Sequence, residues 1–225
     1  MAPKPDPQCA LCRMDSRACI SKEGKGPSFC PTLHRAEDAE RALKKYQDPE
    51  TKDFAKAASL QEAECYAERD AQHHVLKPTK TRVEEIIEFS KRMGYKRIGV
   101  AFCGGLFSEA HTFARILEKN GLEPVSVCCK VGGVPKEFLG LEDKDKIRIG
   151  AYETMCNPIA QAEVLNEAQT DFNVLIGLCV GHDSLFFKHA KALTTVLVTK
   201  DRVLGHNPVA ALYGVKVYFQ RLLKP

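Results

Sequence analysis

The sequence predicts an α/β fold, a mostly parallel sheet with flanking helices, preceded by a small cysteine-rich metal module. Two observations predict it. In residues 79–225, apolar runs of strand length alternate with amphipathic helices, which is typical of parallel sheets. Residues 9–31 instead hold four cysteines among Gly, Ser and Pro, with too little apolar content for a core of their own. A bound metal would hold such a segment together.

Three regions follow from this contrast. We predict a four-cysteine metal module in residues 1–33, a helical connector in 34–78 and the α/β domain in 79–225. The connector is predicted to form helices over 34–47 and 53–72, separated by a turn at Asp48-Pro49.

The α/β domain is predicted to contain four strands, at residues 97–102, 124–127, 173–178 and 195–199. Helices are predicted over 82–93 and 108–120, and three more begin near residues 158, 182 and 208. Thr81 and Glu84 have the spacing of a capping box at the first helix. Asn157-Pro158 and Asn207-Pro208 each combine an N-cap residue with proline at the first helical position.

Composition limits the class of protein. Charged residues make up 28% and apolar residues 44%, as in ordinary globular proteins, and the net charge is only +4. Without a Lys/Arg-rich run, nucleic-acid binding is not expected. The longest apolar stretch, 173–181, is too short to cross a membrane, and residues 1–8 lack the apolar core of an export signal. We therefore expect a cytoplasmic protein whose ten cysteines serve metal or thiol chemistry rather than disulfides.

Four cysteines form the first candidate metal site. Cys9 and Cys12 are separated by two residues, a spacing that lets both sulfurs turn toward one ion, and Cys19 and Cys30 complete the set. Four thiolates suit zinc or an iron–sulfur cluster. This centre is predicted to be structural or an electron relay, with zinc as the alternative to iron and sulfur.

Five further cysteines form the second candidate site. They fall where predicted strands pass into loops, at the edge where open α/β sheets bind ligands: Cys103, Cys128, Cys129, Cys156 and Cys179. Single buried cysteines are common as small apolar residues, but that does not explain five at loop junctions. Adjacent strand residues point to opposite faces, so Cys128 and Cys129 are not expected to bind one centre together. We predict the ligands of an iron–sulfur (4Fe-4S) cluster at Cys103, Cys129, Cys156 and Cys179, and a reactive thiol at Cys128.

Polar residues near the same strand ends are candidate catalytic groups. His182 and His206 are predicted to transfer protons, and Arg202 to bind a small anionic substrate, with Lys130, Lys188 and Lys200 nearby. His111 is a weaker candidate of the same kind. Cys65, within a predicted helix, is expected to be structural.

Two other functions remain open from the residues alone. Gly177-x-Cys179-x-Gly181 matches a nucleophile elbow with cysteine as nucleophile, and Asp201 and His206 follow in hydrolase order. A zinc-binding scaffold protein is the second alternative. The function favoured here is redox or sulfur-transfer chemistry of an anaerobic type at two metal centres, as in an iron–sulfur reductase or lyase, with an electron-donor protein as partner.

Several sequence blocks also resemble a known family. They are IGVAFCGGL, VSVCCKVGG, MCNPIAQAEVLN, TDFNVLIGLCVGHDSLFFKHAK and KDRVLGHNPVAALY, together with the N-terminal four-cysteine module. The chain resembles a bacterial and archaeal family of unknown function, catalogued as predicted metal-binding proteins. The resemblance covers nearly the whole chain and implies metal binding, but it implies no particular reaction.

Overall fold

The computed structural model describes residues 6–70 and 75–224. The chain divides into two compact units, Met1–Leu60 and Gln61–Pro225. The three predicted regions have different boundaries from these two units, and that finer division stays a prediction. No helix in the described part of the chain is long and apolar enough to span a membrane.

The first unit contains α1 (Pro31–His34), α2 (Ala36–Lys45) and most of α3 (Pro49–Glu64). The predicted break at Asp48-Pro49 is confirmed, but Pro49 is already the first residue of α3. The Asp48 carboxylate accepts a hydrogen bond of 2.8 Å from the Thr51 amide, so it caps this helix. The predicted helical range 53–72 was therefore wrong at both ends: α3 starts at the proline and ends at Glu64.

The second unit is built on a four-stranded parallel sheet, which confirms the predicted fold class. Its strands are β3 (Arg97–Phe102), β4 (Glu123–Cys128), β5 (Phe172–Ile176) and β6 (Thr194–Val198), in the order β4-β3-β5-β6. A short antiparallel pair precedes them, β1 (Tyr66–Ala67) and β2 (Lys77–Pro78). The sequence did not indicate this pair, because two-residue strands have no periodicity.

The helices of this unit are α4 (Arg82–Arg92), α5 (Phe107–Lys119), α6 (Pro158–Glu167), α7 (His182–His189) and α8 (Val209–Tyr213). The capping box at Thr81 is confirmed, and Asn157 accepts a 3.0 Å hydrogen bond from the Ala160 amide at the start of α6. The analogous prediction for Asn207 was wrong, because the cap of α8 is Pro208 and no side chain caps this five-residue helix.

The core lies against the two central strands. Every residue of β5 is buried, and in β3 only Arg97 is exposed. Buried apolar residues of α6 and α7 form one cluster with residues of the strands and strand ends. The cluster contains Ala101, Val127, Cys129, Ala162, Leu165, Leu175, Leu178 and Phe186. Because Cys129 belongs to this cluster, the core extends to the carboxyl edge of the sheet.

Candidate functional site

The carboxyl ends of the four parallel strands bring the cysteine loops to one edge. Phe102, the last residue of β3, is paired with Cys128 on one side and with Ile176 on the other. Cys103 therefore follows β3 next to the end of β4, and Cys179 follows β5 next to Cys103. The predicted arrangement of strand-end cysteines is present in the second unit.

Three thiols from three different loops are linked through Cys129. The thiol of Cys129 is hydrogen-bonded to the thiols of both Cys103 and Cys156. Two backbone hydrogen bonds fix Cys129: its amide donates to Phe102 O at 2.8 Å, and its carbonyl accepts from the Asn157 amide at 2.7 Å. The second bond joins the loop after β4 to the start of α6, so the helix cap also positions Cys156. We call Cys103, Cys129 and Cys156 the thiol triad.

Backbone amides point at two sulfurs of the thiol triad. The Gly104 amide donates to Cys129 Sγ at 3.3 Å, and the Gly105 amide donates to the Cys103 sulfur. The chain turns sharply here, and a Cβ on Gly104 would lie 3.5 Å from Cys128 Sγ. Such amide donors stabilise negative charge on sulfur.

Two lysines add positive charge. Lys200 Nζ lies 3.4 Å from Cys103 Sγ. Lys130 is hydrogen-bonded to the sulfur of Cys156 and also donates to Thr154 O at 2.5 Å. The ammonium groups of Lys130 and Lys200 thus lie against thiols at the strand ends.

The three thiols of the triad have pKa values shifted in opposite directions. The hydrogen bond from Cys129 lowers the pKa of Cys103 to about 4, with further lowering by the Gly105 amide and Lys200. The same kind of bond lowers the pKa of Cys156 to about 5, assisted by Lys130 and His182. The pKa of Cys129 is raised, because its thiol is hydrogen-bonded to the sulfurs of Cys103 and Cys156 and is buried. These opposite shifts favour the thiolate form of Cys103 and Cys156 and the thiol form of Cys129.

Cys179 lies at the same edge but has a different partner. Arg202 Nη2 donates to Cys179 Sγ at 3.0 Å, and this bond is the main reason that the pKa of Arg202 is raised. The negative charges of Cys103 and Cys156 raise it further. Arg202, from the loop after β6, is therefore a permanent positive charge facing the thiols.

The hydrolase alternative is not supported by the hydrogen bonds of this edge. His206 Nδ1 accepts a 3.1 Å bond from the Asp201 amide, and the Asp201 carboxylate accepts bonds from the amides of Val203 and Leu204. Asp201 and His206 thus stabilise their own loop, and the partner of Cys179 is a guanidinium rather than an imidazole. The left-handed backbone of His206, with φ of 66°, belongs to the same turn.

The other candidates fall into different surroundings. Cys128 is the last residue of β4 and is half-buried, with its sulfur beside Gly104. His111 lies on α5 and lines a surface groove of about 410 Å³ together with Arg115 and Lys119. Lys188 is exposed in the last turn of α7. Cys65 is buried just after α3, where its thiol donates to Gln61 O at 3.0 Å, in line with a structural role.

The N-terminal cysteines are all free thiols. Cys9 and Cys19 are exposed, whereas Cys12 and Cys30 are partly covered. Within residues 6–70 and 75–224, no group of three or more His, Cys, Asp or Glu side chains has the geometry to hold a single metal ion. Metal binding at either cysteine group therefore stays a prediction.

Comparison with known proteins identifies the family. The family model described as "Protein of unknown function (DUF1847)" matches residues 30–197, about three quarters of the chain. The chain belongs to the DUF1847 family. A relative in this comparison, an uncharacterized protein of Methanocaldococcus jannaschii, is 49% identical over 172 residues, which cover 76% of this chain and 85% of the relative.

Two solved structures have a distant likeness to this DUF1847 protein. Both are of Dph2 from Pyrococcus horikoshii, one of them with a 4Fe-4S cluster. The cluster-containing structure is 20% identical with a TM-score of 0.34, covering 64% of this chain and 34% of Dph2. The other is 17% identical with a TM-score of 0.35, covering 65% and 33%. The chain thus spans about a third of the length of Dph2.

Some candidate residues lie inside the range matched by the DUF1847 model, and others lie outside it. It includes the whole thiol triad, Cys179 and His182, but Cys9, Cys12 and Cys19 precede it. Lys200, Arg202 and His206 follow it.

One important residue of this DUF1847 protein was missed by the sequence analysis. Gln161 is fully buried on α6, and its Nε2 donates to Phe102 O at 3.2 Å and to Val127 O at 2.7 Å. Gln161 thus links the carboxyl ends of β3 and β4, next to the cysteines that follow these strands. The sequence feature that could have identified Gln161 is its position four residues before Leu165, on an otherwise apolar face of the helix.

Proposed function

We propose that this chain is an iron–sulfur protein whose working centre is held by Cys103, Cys129 and Cys156. The contact of the Cys129 thiol with the other two thiols carries the proposal. Three thiols gathered from three loops are more than apolar filling, because amides and lysines favour the thiolate form at Cys103 and Cys156. The thiolate is the form of cysteine that binds a metal.

The donor set fits an iron–sulfur cluster chemically. Thiolates are the usual ligands of such clusters, and hydrogen bonds to sulfur adjust their reduction potential. The amides of Gly104 and Gly105 and the ammonium group of Lys200 supply such bonds.

The chain's own residues would surround the centre with binding and proton-transfer groups. A bound cluster supplies electron transfer or a Lewis-acidic iron. Arg202 offers a planar guanidinium that binds a carboxylate, phosphate or sulfur anion. His206 uses Nδ1 as an acceptor, so its neutral ring carries the proton on Nε2 and can donate it. Cys128 would provide a further thiol for sulfur transfer.

The proposal includes a second metal at Cys9, Cys12, Cys19 and Cys30, with a structural or electron-relay role. It also includes a small anionic substrate, an electron-donor protein and a cytoplasmic setting, where reducing conditions keep thiolates available as ligands. Zinc is the alternative metal at the N-terminal group.

Anaerobic purification followed by iron, sulfide and zinc analysis tests the proposal. We expect a brown protein that contains iron and acid-labile sulfide, and we expect Cys129→Ser to lose the iron of the second unit. Cys65→Ser is the matched control, since Cys65 is buried but lies away from the strand ends. Stoichiometric zinc in a colourless protein would favour the scaffold alternative, and retention of all iron in Cys129→Ser would contradict the proposal.

A further inference from the structure

A buried imidazole nitrogen near the thiol triad has no partner. Nδ1 of His182 is shielded from solvent and forms no hydrogen bond with the described residues. Buried polar atoms are nearly always hydrogen-bonded, so a buried nitrogen without a hydrogen bond suggests that it binds a further group. Within the second unit, only the amide oxygens of Gln61 and Gln161 share this state among described side chains.

The backbone directs His182 toward the cysteine edge. His182 is the first residue of α7, and its amide donates to the carbonyl of Cys179 at 2.9 Å. His182 is also among the groups that lower the pKa of Cys156. Gly181, with φ of 87°, makes the turn between Cys179 and the helix. One short loop thus holds both Cys179 and His182 at the edge of the sheet where the triad lies.

Cys179, the residue that the sequence analysis favoured as fourth ligand, is in a different position. Its sulfur already accepts a 3.0 Å hydrogen bond from Arg202. Two potential donors therefore stand near the triad, one with a partner and one without.

We infer that Nδ1 of His182 is the fourth protein donor of the metal centre formed by Cys103, Cys129 and Cys156. Cys179 and Arg202 then lie beside the centre and form its anion-binding position. This inference rests on the proposed function. A neutral imidazole in place of a fourth thiolate removes one negative charge from the site, which raises the reduction potential of an iron–sulfur centre. The ring binds as the Nε2–H tautomer.

Pulsed electron paramagnetic resonance of the reduced, metal-loaded protein tests the inference. Protein labelled with ¹⁵N only in histidine should show a nitrogen coupling that changes with the isotope. We expect this coupling to vanish in His182→Gln and His182→Ala, with iron and sulfide retained by the three cysteines. Cys179→Ala is the matched control and should keep both the coupling and the iron. Circular dichroism of each variant verifies that α7 and the fold persist.

The outcomes separate the two proposals. Wild-type protein that binds iron and sulfide but shows no histidine coupling overturns this inference and leaves the proposed function intact. A coupling that persists in both His182 variants, or the loss of iron in Cys179→Ala alone, overturns it as well. Wild-type protein that takes up neither iron nor sulfide overturns the proposed function, and this inference with it.

Discussion

Arg202 donates a 3.0 Å hydrogen bond to the sulfur of Cys179, joining the loops that follow β5 and β6. The strand pairing between β5 and β6 ends at Ile176 and Val198, and the Arg202 bond connects the two chain segments beyond that point. The bond places a guanidinium beside the Cys179 sulfur, at the position where the proposed anionic substrate would bind.

Arg202→Gln should weaken the response of the metal-loaded protein to hydrosulfide or an anionic thiol. A hydrogen bond to a charged group contributes about 1.5–3 kcal/mol, so we expect at least a roughly tenfold loss of affinity. Titration of the reduced protein, followed by its electron paramagnetic resonance signal, measures this. Arg202→Lys keeps the positive charge but lacks the planar guanidinium, so its affinity for the anion should lie between those of wild type and Arg202→Gln. Equal titrations of wild type and Arg202→Gln would refute an anion site here.

Cys128→Ser and Cys129→Ser should differ sharply although the residues are adjacent. Cys129 contacts both other thiols of the triad, whereas Cys128 is the last residue of β4 and is not in that contact. We expect Cys128→Ser to keep its iron and Cys129→Ser to lose it, as measured by metal and sulfide analysis. The opposite pattern would reverse the assignment.

The double variant Cys9→Ser/Cys12→Ser should lose one metal equivalent from the N-terminal module. Residues 1–33 should also become more susceptible to limited proteolysis, because the segment has no apolar core to hold it. The metal of the second unit should remain. Unchanged total metal in this variant would contradict a site in the module.

Asn157→Ala should destabilise the second unit by about 1 kcal/mol, the usual cost of losing an N-cap side chain. The Asn157 side chain accepts from the Ala160 amide at 3.0 Å. Loss of this cap should loosen the start of α6 and so weaken the bond from the backbone amide of residue 157 to Cys129 O, which should lower iron retention too. Asn207→Ala is the control, because no side chain caps α8. Urea unfolding compares the two, and equal midpoints would count against this account.

Glu153 should make stability depend on pH in the acid range. Lys136, at 2.6 Å, and the amides of Arg148 and Ile147 lower the pKa of Glu153 from 4.5 to about 2. Its contribution is therefore full above pH 4.5 and is lost as the pH falls through about 2. Wild type should unfold at a higher temperature than Glu153→Gln at pH 6, with the difference shrinking toward pH 2. Glu123→Gln, at an exposed pair, is the control.

The sequence predicted the sheet and the strand-end position of the cysteines because both depend on local patterns. The run 97–102 matched β3 residue for residue, and Asn157 capped α6 as its spacing indicated. The side-chain partners were not predictable in this way. His206 bonds to the amide of Asp201 through a left-handed turn, and Arg202 reaches Cys179 across two loops. Such contacts depend on loop conformations that no periodicity encodes.

The glycine at the end of β5 has a consequence for protein design. Gly177 has φ of 67°, and a Cβ there would lie 1.9 Å from Leu106 Cδ1 and 3.7 Å from Lys200 Cδ. The missing side chain leaves the space that Leu106 occupies, whereas a Cβ would make only an ordinary contact with Lys200. A designer who grafts these cysteines onto another parallel sheet must therefore transplant this gap as well. With any larger residue at 177, Leu106 would have to move, and its amide is hydrogen-bonded to the carbonyl of Cys103.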